Sequence, residues 1–167
     1  MTSEEFFTQV IRPNIEEYLA KPQDFRLLVN CIHAIQDFAG FWAIETESND
    51  KKVRDKISAE CWCFRLCSDL SHALKRGHLS HGTFRLVRSP TSLSPEELVW
   101  NDEGSWDDGL SFSDIAVKAS VNIGSTTISL RMDSVVRDAK RYLAGMIDGE
   151  TVVSKSPEEI AALGSLD

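Results

Sequence analysis

The sequence predicts an α+β fold: a helical bundle of three N-terminal helices and a C-terminal helix, with a small antiparallel sheet inserted before the last helix. Three observations carry this expectation. Apolar residues recur at helical spacing through about residue 76. Alternating apolar and polar residues then flank a Gly124-Ser125 pair. Helical spacing returns in VVRDAKRYLAGMI. Runs of helices followed by runs of strands suggest an α+β arrangement.

The elements follow in order. Thr2 and Glu5 form a capping box before FFTQVI. Pro13 interrupts or restarts this first helix, which runs on to about Leu19. After KPQD, Asp24 caps a second helix from Phe25 to about Ile44, apolar on almost every side and so the most buried. A third helix runs from about Lys51 to Arg76, with Gly77 as its stop. Thr83 to Arg88 reads as a strand. Ser94, Pro95 and Glu97 start a short helix. NDEGSWDDG is an acidic loop. Ile115, Val117, Ala119 and Val121 share one strand face, Ile128, Leu130 and Met132 the next, and together they make a hairpin. Asp133 or Ser134 caps the last long helix, which Asp148-Gly149 ends. Ser156 to Glu159 opens a short terminal helix. Residues 1–149 are expected to form one domain, with a strand-rich insertion at about 83–132, and 150–167 a tail.

A chain of 167 residues with 42% hydrophobic and 26% charged residues is long enough to bury a core without staples. Its net charge of −8 disfavours broad binding to nucleic acid or anionic membrane, but allows a small basic site. MTSEEFF has no secretory character, and no apolar stretch of about 18 residues is expected to span a bilayer. A cytoplasmic location follows. Cys61, Cys63 and Cys67 crowd one helical stretch, where disulfide geometry is rare; with Cys31 they read as buried free thiols.

Two helices carry the same polar spacing. Arg26, Asn30, His33 and Asp37 fall at steps of four, three and four, and so do Arg65, Asp69, His72 and Arg76. Such steps keep side chains in one stripe. Stripes that face each other form a site; stripes that face water are the wet sides of amphipathic helices. Asp69 with His72 and His33 with Asp37 also offer acid-histidine pairs of the kind that hold metals between helices. The nearby Arg26, Arg65 and Arg76 oppose a metal, so none is expected and no cofactor is implied. The acidic loop, with Asp102, Glu103, Asp107 and Asp108 between Trp100 and Trp106, lacks calcium-loop spacing.

Arg65 and His72 are seven residues apart, which returns a helical side chain to within about 20° of the same direction. A guanidinium binds phosphate oxygens while an imidazole moves protons near neutral pH. This Arg-x6-His spacing in an acidic helical protein resembles the ribonuclease motif of the HEPN family. Arg76 and His81, followed by Gly82, resemble the shorter form, although Gly77 stands where that family has a polar residue. The resemblance implies metal-independent RNA cleavage, often as a homodimer, in toxins or antiphage effectors. Arg65 would bind phosphate and His72 would be the acid/base. Asp69 and Asp37 would orient it, with Arg26, His33, Arg76 and His81 as further binding residues. The alternative is a noncatalytic domain of phage or mobile-element origin, whose acidic surface binds a protein partner.

Overall fold

A computed structural model describes residues 1–77, 86–95, 116–123 and 125–163. The fold is α+β, with helices dominant and one small antiparallel sheet. Helix α1 (Ser3–Phe6) carries the expected capping box between Thr2 and Glu5. A π-helical turn, Phe7–Ile11, joins it to α2 (Arg12–Ala20). There the Arg12 amide donates to the Phe7 carbonyl, five residues back. Proline has no amide to give, and the widened turn carries the helix past Pro13 without ending it.

Helix α3 (Phe25–Glu45) is the centre of the bundle, packed against α2, α4, α5 and α6. Its cap is as expected: the Asp24 carboxylate accepts from the amides of Arg26 and Leu27. At the far end, the Glu45 carboxylate accepts from the Ser3 amide at 2.9 Å and from the Ser3 hydroxyl. These two bonds hold the Glu45 carboxyl below its ordinary range. A negative charge at the N-terminus of α1 also suits the helix dipole. Against the expectation of no apolar stretch, α3 is the one helix among the described residues long and apolar enough to cross a membrane, with a mean hydropathy of 1.3. A core helix meets the same description, and 56% of that window is buried inside the protein.

The expected third helix is two helices. Helix α4 (Asp50–Glu60) stops at Cys61, whose backbone is extended at φ −126° and ψ 102°. Helix α5 (Trp62–Arg76) then begins, with the Cys61 thiol accepting from the Phe64 amide at 3.4 Å. A straight helix over 51–76 would be about 39 Å long and would overhang α3, which is about 31 Å. The break lets both halves pack on α3. Gly77 ends α5 at φ 75°, as its position suggests.

Strands β1 (Leu93–Pro95), β2 (Val117–Ile123) and β3 (Thr126–Arg131) pair antiparallel in that order. Ser94 and Pro95 stand in a strand, because β2 offers them a ladder through Lys118 and Val117. The hairpin is as expected: Ile123 pairs with Thr126 and Ala119 with Leu130. Val117, Ala119 and Val121 are buried on one face. Leu86 donates its amide to Asp69 and accepts from Asn122, so its segment bridges α5 and the sheet; 86–88 is not a strand. The helix expected after Pro95, the acidic loop with Trp100 and Trp106, residues 83–85, Ile115 and Gly124 lie outside the described residues.

Helix α6 (Met132–Asp148) follows β3 directly and ends at Gly149, at φ 71°. It starts two or three residues earlier than expected, with Arg131 at the cap position, so neither Asp133 nor Ser134 is its cap residue. The chain beyond it returns along α6 to α7 (Pro157–Leu163), where Ser156 and Glu159 cap reciprocally. Ile160 of this segment is only 1% exposed and packs into the core. A Cβ at Gly145 would collide with the Val152 side chain. Gly145→Ala is expected to cost about 1–3 kcal/mol in urea unfolding. Adding Val152→Ala should recover most of it; equal losses in the single and double variants would refute the contact.

Candidate functional site

The seam between α3 and α5 places polar groups inside the bundle. On α5, Ser71 is fully buried; on α3, Gln36 is 5% exposed and His33 half-buried. Their side chains form one chain. His33 Nδ1 lies 2.7 Å from Ser71 Oγ, and Ser71 Oγ lies 2.9 Å from Gln36 Oε1. Lys75 Nζ donates to the same Gln36 oxygen at 3.2 Å and sits 4.0 Å from the Asp37 carboxylate.

The donors and acceptors assign the protons. An ammonium only donates, so the Gln36 atom it meets is the carbonyl oxygen. That oxygen only accepts, so Ser71 donates to it. Ser71 has a single proton, and its oxygen must then accept from His33. The neutral imidazole therefore carries its proton on Nδ1 and keeps a lone pair on Nε2. Burial holds the His33 pKa below 6.5, the Lys75 charge adds to that, and Asp37 opposes it. The imidazole is neutral near pH 7. Protonating it disfavours the folded state, so its contribution to stability is present above 6.5 and is lost as the pH falls below that value. Ser71 is too buried to serve as a nucleophile.

Among the described residues, a hydrogen bond from His33 and an ion pair from Asp37 join the α3 stripe to α5. The α5 residues that meet α3 here are Ser71 and Lys75, each one position before a stripe residue. Asp69 is buried, and its Oδ2 accepts from the Leu86 amide at 2.9 Å. Arg65 and His72 are half-buried beside it, each engaged by an interaction of its own. Arg76 is exposed in the last turn. Arg26, with a side chain 71% exposed, lies 3.9 Å from Asp24 at the outer end of α3. Asp37 pairs with Lys75 and acts on His33. His81 lies outside the described residues.

Gln36, Ser71 and Lys75 were missed from the sequence. Their signal was present: His33 to Gln36 and Ser71 to Lys75 are helical neighbour spacings. Among the described residues, no group of three or more His, Cys, Asp or Glu could hold a metal ion. The four cysteines are buried free thiols. Burial pushes Cys31 up to about 12, and Cys61, Cys63 and Cys67 upward as well, so all four are protonated and unreactive near neutral pH.

Compared with protein-family models, with curated proteins and with solved structures, the chain finds no match.

Proposed function

We propose that this chain is a HEPN-like, metal-independent ribonuclease of the toxin or antiphage kind, cytoplasmic and homodimeric. The observation that carries the reading is the His33 imidazole, neutral and held in one tautomer by Ser71, Gln36 and Lys75. In such cleavage a neutral imidazole takes the proton of the ribose 2′-hydroxyl, and that oxygen attacks phosphorus. A protonated imidazole then returns a proton to the departing 5′ oxygen. His33 Nε2 supplies the base, His72 the acid, and Arg65 binds the phosphate oxygens. Asp69 holds the entering chain at Leu86 and so keeps that end of the site in place.

A second reading is favoured by one surface. Ile44 is 78% exposed beside half-buried Phe41, in a groove of ≈ 500 Å³ that Asp37 and Asp50 also line. Arg54 pairs with Asp50 and Lys75 with Asp37, so the rim is charge-balanced, and the exposed apolar patch suits an apolar side chain of a protein partner. Labelled single-stranded RNA separates the two readings. Wild-type cleavage should survive EDTA and fall by about 100-fold or more in His33→Ala and in His72→Ala. Cleavage lost with EDTA, cleavage kept by both variants, or none by the wild type would overturn the nuclease reading.

A further inference from the structure

A cleft of ≈ 410 Å³ opens between the first half of α6 and the terminal segment. It is large enough for a small ligand. Asp133, Ser134, Arg137, Asp138, Arg141 and Lys155 line it. The two carboxylates are already committed. Arg131 donates to both oxygens of Asp133, at 3.2 and 3.1 Å. Asp138 accepts from Arg141 at 2.6 Å, from the Ser154 hydroxyl at 2.8 Å and from the Lys155 amide at 3.2 Å. The guanidinium of Arg137 and the ammonium of Lys155 have no ion-pair partner among the described residues. A chain of net charge −8 thus keeps two uncompensated cations in one concave place.

We propose that this cleft binds a phosphate group. Arg137 supplies a planar fork that matches phosphate oxygens in pairs, Lys155 a point charge, and Ser134 a hydroxyl donor. Ile160 and Leu163 add an apolar wall for whatever the phosphate is attached to. The committed carboxylates set the register: they hold Arg131 and Arg141 and leave the other two cations turned to the ligand. The same chemistry serves a small phosphate compound or the backbone of RNA. It does not depend on RNA cleavage.

Two probes distinguish the sources: inorganic phosphate, followed by calorimetry, and a single-stranded RNA oligonucleotide, followed by fluorescence anisotropy. The Arg137→Ala/Lys155→Ala variant should bind phosphate at least about tenfold more weakly, while Lys52→Ala, a cation on the far helix α4, changes it less than about twofold. Arg137→Glu, at an exposed position, should act in the same direction without the cost of emptying the Lys155 site. RNA binding lost in parallel, with the salt slope reduced by about 0.7 per cation removed, makes the backbone the ligand. Phosphate binding without RNA binding makes it a small compound. A wild type that binds neither probe, or variants that bind both as well as the wild type does, would overturn the proposal. Phosphate binding by the wild type is read by calorimetry whether or not the protein cleaves RNA, which keeps this test separate from that of cleavage.

Discussion

Phe38→Ala is expected to destabilise the protein by about 4 kcal/mol, within the 3–5 kcal/mol range for emptying a buried Phe site. Phe38 is fully buried and lies on α3, with its ring stacked on Trp42 at 5.8 Å between centroids. Helices surround α3, so no mobile wall can collapse into the space left behind. Urea unfolding followed by circular dichroism reads the effect. With a slope of about 2 kcal/mol per molar urea, the midpoint should fall by about 2 M. Such a loss is a large part of the stability of an ordinary domain. Phe25→Ala, on the same helix but 43% exposed, should move the midpoint by under about 0.3 M. Similar shifts in the two variants would contradict a bundle centred on Phe38.

Asp138→Ala is expected to cost about 2–3 kcal/mol and to free the segment after α6. The carboxylate is only 2% exposed and collects bonds from Arg141, Ser154 and Lys155. Arg141 is 46% exposed, so water screens its share. Most of the cost comes from the Ser154 hydroxyl and the Lys155 amide, which lose a charged acceptor. Limited proteolysis alongside urea unfolding tests both parts of the expectation. New cleavage within 150–156 should appear before any in the helices. Asp138→Asn, which keeps the shape and an acceptor, should lie between the wild type and the alanine variant. An unchanged proteolytic pattern would mean that this carboxylate does not pin the segment.

Much of the fold is legible because it is written in neighbouring residues. Asp24 caps α3 since an Asp side chain reaches amides two and three positions on. Gly77 and Gly149 end α5 and α6 because glycine accepts a positive φ at no steric cost. The hairpin follows from alternation on both sides of residues 124–125. The break at Cys61 is not legible, because a thiol is an unusual cap and nothing in AECWCF forbids a continuous helix. That Ser94 and Pro95 stand in a strand is not legible either, because their ladder comes from the distant strand β2.

The candidate site divides in the same way. That α3 and α5 each carry a polar stripe through an apolar helix is a property of the sequence alone, since it depends only on spacing along one chain. Which polar residues meet depends on the rotation of one helix about its axis relative to the other. A turn of one residue, about 100°, exchanges His72 for Ser71 and Arg76 for Lys75. The packing of Leu66, Leu70 and Phe64 against the rest of the core selects between them. The sequence by itself therefore determined the helical stretches, the caps at Thr2 and Asp24, the stops at Gly77 and Gly149 and the imidazole on α3. The tertiary structure decided its partners, because a contact across 38 residues is set by packing and not by local spacing.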